Sequence, residues 1–168
     1  MKVKIVKVSI NELVSATIRK GRQNELPSMH QGWNFSFDKH IRTLANATAY
    51  ILTADETPDE AEGCMIFQIR DKLVPYMAFV EIAPHNRADP KKYDHVAGCL
   101  IAYASRLSLD LGKNEYEGWL SFQVSEEKPE DQIKLMAVYS KKYGALRYDE
   151  HTMFIGPDQA AVLIKQYL

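Results

Sequence analysis

FVEIAPHNRADPKKYDHVAGCLIAYASRLSLDLG, residues 79–112, is the stretch whose reading decides the fold. An apolar strand stops at Pro84, a polar loop follows, and a helix opens on the small residues Val96, Ala97, Gly98 and Cys99. Val96, Leu100, Tyr103, Ala104, Leu107 and Leu111 recur at spacings of three and four, so one helical face is apolar and is buried against something. Gly112 is expected to end the helix as a left-handed cap. The preceding LVPYMAFVEIA is almost wholly apolar, which suits a strand covered on both faces. The first backbone N–H groups of a helix lack internal partners and sit at the positive end of its dipole. A first turn of small residues lets an anion approach them, and a pyrophosphate suits that geometry.

Working outward, 168 residues and 19.2 kDa are about one domain, read here as residues 1–168, with enough chain to close one sizeable core. A net charge of −1 argues against nucleic acid as an obligate partner, because such domains carry a basic excess. Cys64 and Cys99 sit in apolar segments without metal-type spacing, and they read as reduced core residues of a cytoplasmic protein. No metal site is expected. No apolar run approaches the roughly 18 residues needed to cross a bilayer, and the lysine-studded N-terminus does not read as a signal peptide.

KVKIVKV alternates apolar and basic residues as a strand does. Ser9-Ile10-Asn11-Glu12 has the Ser-x-x-Glu pattern of a capping box, which predicts a helix carrying Ile10, Leu13, Val14, Thr17 and Ile18 and stopping at Gly21. From Gly21 to Asp38 the chain is irregular and aromatic, with Pro27, Trp33, Phe35 and Phe37. It reads either as a loop packed over the core or as the wall of a substrate pocket. Asp38 can cap a short helix through Ile41, Leu44 and Ala45. Residues 47–54, 64–70 and 73–83 then form three strands joined by polar turns, an antiparallel meander.

After the central helix, GWLSFQV at 118–124 is apolar enough to lie beside the meander as a parallel neighbour, which opens the sheet between two parallel strands. Pro129 starts a helix carrying Ile133, Met136, Ala137 and Tyr139 and ending near Tyr143-Gly144. Met153-Phe154-Ile155 closes the sheet. Pro157 to Leu168 forms a last amphipathic helix through Ala161, Ile164 and Leu168. The fold class is mixed α/β, with a mostly antiparallel central sheet, one splayed parallel pair and helices on both faces.

KKYDHVAGCLIAYA, in the order EIAPHN, KKYDHVAGCLIAYA, GWLSF, a Tyr-bearing helix and KKYGA, resembles the GNAT acetyltransferases over roughly residues 75–155. The acyl-coenzyme A loop of that family reads Arg/Gln-x-x-Gly-x-Gly/Ala. Lys92 stands at its Arg/Gln, His95 at its first Gly and Ala97 at its Gly/Ala position. The resemblance implies a GNAT-like fold whose splayed strands hold acetyl-coenzyme A as co-substrate. Amides from Tyr93, Asp94, His95, Val96, Ala97 and Gly98 would hold the pyrophosphate, with Lys92 adding charge. Asp94 counts against this unless it points away. The main chain of Val80, Glu81 and Ile82 would pair with the pantetheine arm as an added strand does.

The implied chemistry is direct transfer of an acetyl group to a primary amine. Such an amine has a pKa near 10.4, so deprotonating it at pH 7 costs about 4.6 kcal/mol and a base matters. Glu81, an acid on the strand that lines the cleft, is the expected base, with His85 as the alternative. His95 either donates to a phosphate or merely occupies a helix start. A hydroxyl near the sulfur can protonate the leaving thiolate. Tyr139 resembles that donor in the family, in competition with Tyr143. The acceptor is a small molecule or a protein amine, and a homodimer is compatible with the sequence. Two other classes compete. One is a non-catalytic GNAT-fold module that binds acyl-coenzyme A or a protein, suggested by the departures at the loop. The other is a nucleoside-phosphate enzyme, for which no Gly-x-Gly-x-x-Gly or Walker lysine is present.

Overall fold

A computed structural model describes residues 1–168. The chain opens with a hairpin of β1 (Lys2–Lys7) and β2 (Glu12–Lys20), passes through single-turn 3₁₀ segments to α1 (Phe37–Thr43), and then builds β3 (Ala47–Ala54), β4 (Ala61–Arg70) and β5 (Val74–Ile82). A loop carrying β6 (Tyr93–Asp94) leads into α2 (Val96–Leu111) and β7 (Leu120–Gln123). The chain finishes with α3 (Pro129–Tyr143), β8 (Leu146–Arg147), β9 (Thr152–Ile155) and α4 (Pro157–Tyr167). The strands make one nine-stranded sheet in the order β6-β1-β2-β3-β4-β5-β7-β9-β8. Only β5 and β7 run parallel.

The helix expected from the Ser9-x-x-Glu12 pattern is instead a strand. Asn11 takes a left-handed conformation (φ 53°) that turns the chain, and β2 then pairs antiparallel with β1 on one side and β3 on the other. Ala16 and Ile18 are buried, and the alternation of β2 is that of a strand with one face on the core. Two ladders of main-chain hydrogen bonds outweigh a local capping signal. The meander of β3, β4 and β5, the parallel β7 and the spans of α2 and α3 are as the sequence predicts.

Helix faces differ in phase from the simplest reading. On α2 the expected Val96, Leu100, Ala104 and Leu107 are buried, yet Cys99, Ile101 and Ala102 are buried too, while Leu111 is exposed. The widened face has a cause: α4 covers a second side of α2, and a Cβ on Gly98 would collide with the ring of Tyr167. Accordingly α4 buries Ala160, Leu163 and Tyr167, one residue out of step with the expected Ala161, Ile164 and Leu168. On α3 the buried residues are Gln132, Met136 and Tyr143, and the expected Ile133 and Ala137 face outward. Gly112 is not a left-handed cap. Its backbone is extended (φ −64°, ψ 152°), and what demands glycine is space: a Cβ there would lie 2.8 Å from the Tyr116 carbonyl oxygen. Gly144 does cap α3 in the left-handed conformation (φ 65°).

The sheet separates two apolar clusters of unequal size. The larger, of 29 buried residues, lies under α2, α3 and α4. The smaller, of eight, holds Leu26, Trp33, Phe37, Ile51 and Ile66 under α1 and the segment before it.

Candidate functional site

The parallel pair touches at one point. Tyr76 is bridged to Ser121, whose hydroxyl donates to the Pro75 carbonyl at 3.1 Å. Beyond Tyr76, β5 runs on to Ile82 paired with β4 alone, so its other edge is a row of main-chain groups without a strand beside it. A register shift between Ile66 and Phe67 leaves Ala78 as a bulge at the mouth of this gap. Bulges re-aim side chains and end pairing, and they gather at active sites.

The start of α2 abuts the far end of the same edge. Gly63, paired with Ile82, lies so close to the helix that a Cβ would sit 2.7 Å from a Val96 methyl and 2.8 Å from one of Leu100. The amides expected to hold an anion divide into two groups. Tyr93 donates its amide to Asn86 at 2.8 Å, and His95 donates to the Asp94 carboxylate at 2.7 Å. Val96, Ala97 and Gly98 have no acceptor in the chain, whereas Cys99 already bonds back to the His95 carbonyl. Asp94 is thus turned onto its own neighbour. Burial works against its charge, but the His95 amide and the Lys91 and Lys142 cations outweigh burial and keep its pKa below the usual range.

Lys92 does not point a free charge at this turn. Its ammonium pairs with Glu60 and lies 3.3 Å from Glu62, and these carboxylates raise its pKa against the opposing effect of burial. Glu62 is wholly buried and is the hub of the loop: it also meets His85 Nε2 at 2.6 Å and accepts from Asn86 Nδ2 at 2.8 Å. His85, the alternative base, therefore has one nitrogen committed to a structural contact. His95 is left-handed (φ 70°) at the helix start, its ring edge-on to Tyr167.

Glu81 lies on the α1 side of β5, nearly closed to solvent. Its carboxylate accepts from the amides of Asn34 at 2.7 Å and Phe35 at 3.1 Å, and it pairs with Arg87. A carboxylate offers about four lone-pair directions, so few remain for a substrate proton. This clasp also settles the aromatic segment. Trp33 and Phe37 are core residues, whereas Phe35 stays at the surface with its ring 5.1 Å from Phe79.

The two tyrosines of α3 separate clearly. Tyr143 is buried against Tyr167 and Tyr139. Tyr139 is half-buried, with its ring 4.9 Å from Phe122 on β7, beside the point where the parallel strands part. Burial, with a smaller contribution from Glu126, raises the Tyr139 pKa to about 12, so its hydroxyl stays protonated at neutral pH. Burial likewise raises the Cys64 thiol and carries Cys99 to about 12, which disqualifies both as nucleophiles.

No protein-family model and no curated protein matches the chain by sequence. Solved structures do match. The AtaTR complex bound with acetyl-coenzyme A superimposes with a TM-score of 0.55 at 15% identity, over 88% of this chain and 97% of that one. A variant of the spermidine N-acetyltransferase SpeG from Vibrio cholerae gives 0.57 at 15%, over 86% and 95%. The KacTA complex with DNA gives 0.61 at 12%, over 90% and 99%. The N-acetyltransferase PseH from Campylobacter jejuni gives 0.51 at 12%, over 84% and 97%. No helix is long and apolar enough to cross a membrane. With its splayed β5–β7 pair, its bulge at Ala78 and these structural neighbours, the chain has the fold of the GNAT N-acetyltransferases.

Proposed function

We propose that this chain is an acetyl-coenzyme A-dependent N-acetyltransferase that moves the acetyl group directly onto a primary amine. The observation that carries the reading is the strand-free edge of β5, from the Ala78 bulge to Ile82, where Arg87 Nε takes the last carbonyl, ending at the free amides of Val96, Ala97 and Gly98. These groups fit the co-substrate: strand-edge groups pair with amides, and a helix start receives a pyrophosphate. Acetyl-coenzyme A, when bound, supplies an activated thioester.

The chain's own residues do the rest. Val80 and the Ile82 N–H offer their main chain to the pantetheine arm, and one N–H there polarises the thioester carbonyl, whereas the register turns the main chain of Glu81 to Cys64 on β4 and Arg87 Nε donates to the Ile82 carbonyl at 3.1 Å. Lys92, Tyr93, Asp94 and His95 shape the loop that presents the free amides, and the loop's internal contacts support that division. Glu81 is the anchor of the acceptor side: paired with Arg87, it pins Asn34 and Phe35 over β5. Tyr139 donates a hydrogen bond to the leaving sulfur. A phenol near 12 is a weaker acid than an ordinary thiol near 8.5, so it stabilises the thiolate by hydrogen bonding more than by full transfer. Two buried, inert cysteines support direct transfer and a reducing, cytoplasmic setting.

Thermal unfolding with acetyl-coenzyme A, coenzyme A and ATP tests binding. A ligand at about 100 times its Kd stabilises by about 2.7 kcal/mol, a shift of several degrees. A rise with the two coenzyme A compounds and none with ATP is expected. Coenzyme A release with a panel of primary amines then tests transfer, in the parent and in Glu81→Gln and Tyr139→Phe. Loss of turnover in both variants is expected. Binding without turnover for any amine would favour a non-catalytic acyl-coenzyme A module.

A further inference from the structure

One imidazole on the acceptor side is free to act. His40, on α1, lies stacked over Phe79 with ring centroids 4.2 Å apart and planes 24° apart. Phe35 stands edge-on beside both rings, 6.3 Å from His40 and 5.1 Å from Phe79. Phe79 is the residue next to the Ala78 bulge, and it lies on the face of β5 opposite α2. Stacking on Phe79 therefore brings His40 beside the mouth of the gap, on the side that α2 leaves open. The ring is half-buried, and it bonds to nothing in the chain. His40 engages only through its main chain, its N–H to Ser36 and its carbonyl to the Thr43 hydroxyl.

The neighbouring ionisable groups are spoken for or lie elsewhere. Glu81, on the same face of β5, is held by two amides and Arg87. Glu25, on the 3₁₀ turn packed against α1, is bound to Arg19. Asp38, Lys39 and Arg42 share the helix with His40, and none bonds its ring. His85 is committed to Glu62.

Resting on the acetyl-transfer reading, we propose that His40 is the general base that takes the proton from the acceptor amine. An acceptor ammonium loses two protons in all as the nitrogen–acetyl bond forms and the carbon–sulfur bond breaks. One ends on the sulfur of coenzyme A. The other goes to His40 and then to solvent. Imidazole is the side chain whose ordinary titration lies nearest neutrality, which is what a base in this step requires. Stacking on Phe79 holds the imidazole plane while both ring nitrogens stay without a partner in the chain.

The test uses His40→Phe, which keeps the stack and removes the base, beside His40→Gln. The probe amines are 2-phenylethylamine, spermidine and a lysine amide. In both variants kcat/KM falls by about 100-fold, the rise of the parent's rate with pH disappears, and the thermal shift with acetyl-coenzyme A is unchanged. In the parent, the imidazole signals missing from the NMR spectrum of His40→Phe move when acetyl-coenzyme A is added. Turnover with an unaltered pH profile in His40→Phe, or imidazole signals indifferent to acetyl-coenzyme A, overturns the role of His40 alone. Binding without turnover for every amine overturns the transfer reading beneath it.

Discussion

The two faces of the sheet are built on different principles. Under α2, α3 and α4 lies a continuous core in which Leu100, Leu120, Met153 and Leu163 are wholly buried and the contacts are almost all apolar. Under α1 the apolar cluster is small, and a polar clasp completes it: Glu81 tying down Asn34, Phe35 and Arg87. A close-packed face gains stability from area and tolerates little movement. A face held by a few directional bonds around a half-exposed aromatic group can admit a ligand. On the proposed function, stability and chemistry are divided between the two sides of one sheet, and the slot between β5 and β7 is where they meet.

The largest effect separating the faces is expected from Leu100→Ala. It removes a wholly buried side chain from the centre of the larger core and should cost about 3 kcal/mol, seen as an earlier urea midpoint with an unchanged slope. Equal losses from Leu100→Ala and Phe35→Ala would erase the distinction. Glu81→Ala should come next, at about 2–3 kcal/mol, because it strands the Arg87 charge and two amides that the carboxylate now satisfies. If it costs nothing, the clasp is not what holds the α1 face.

Smaller still is the acid response at Glu25. The Arg19 hydrogen bond, helped by the Arg22 amide, lowers the Glu25 pKa to about 2, against a model-peptide value near 4.3 for the unfolded chain. A depressed carboxyl pKa stabilises the fold above the unfolded value, and that contribution is lost as pH falls from roughly 4.3 towards 2. The pair is partly open to water, so it should be worth about 0.5–1 kcal/mol rather than the full shift. Glu25→Gln should flatten acid unfolding slightly, without touching the α2 face. The smallest stability change is expected from Phe35→Ala, below about 1 kcal/mol since the ring is exposed at 36%, yet it should raise KM for the amine. A variant that loses stability but keeps its KM would place Phe35 with the core instead.

The larger face was the more legible one. Spacings of three and four located α2 to the residue, and apolar runs between polar turns located β3, β4 and β5. Phase was harder, because α4 covers a second side of α2 and nothing local in 96–111 announces that Tyr167 will lie over Gly98. The hairpin is hidden because Ser9 and Glu12 carry a helix-start signal, while the strand is decided by partners 5–15 residues away on β1 and 30–38 residues away on β3. On the smaller face the aromatic residues were visible as composition, and Glu81 stood out as an acid in an apolar strand. Its partners were not visible, since Asn34 and Phe35 lie 47 and 46 residues upstream. A lone histidine on a seven-residue helix carries no motif at all, so His40 emerges only when Phe79 is found beneath it.

The contact between Tyr76 and Ser121 has a consequence for solution behaviour. An unpaired strand edge is ordinarily a template for sticking to other chains, and outer edges are guarded by charge, brevity or bulges. Here the bare edge is in the middle of the sheet, recessed between two diverging strands that are pinned together at one end. A slender thread can slide in from the open end, but a neighbouring polypeptide with its own side chains meets β7 before it can form a ladder. On the proposed function, the same pinned gap that would make room for a ligand disfavours strand addition by a neighbouring chain, with width as the criterion for entry.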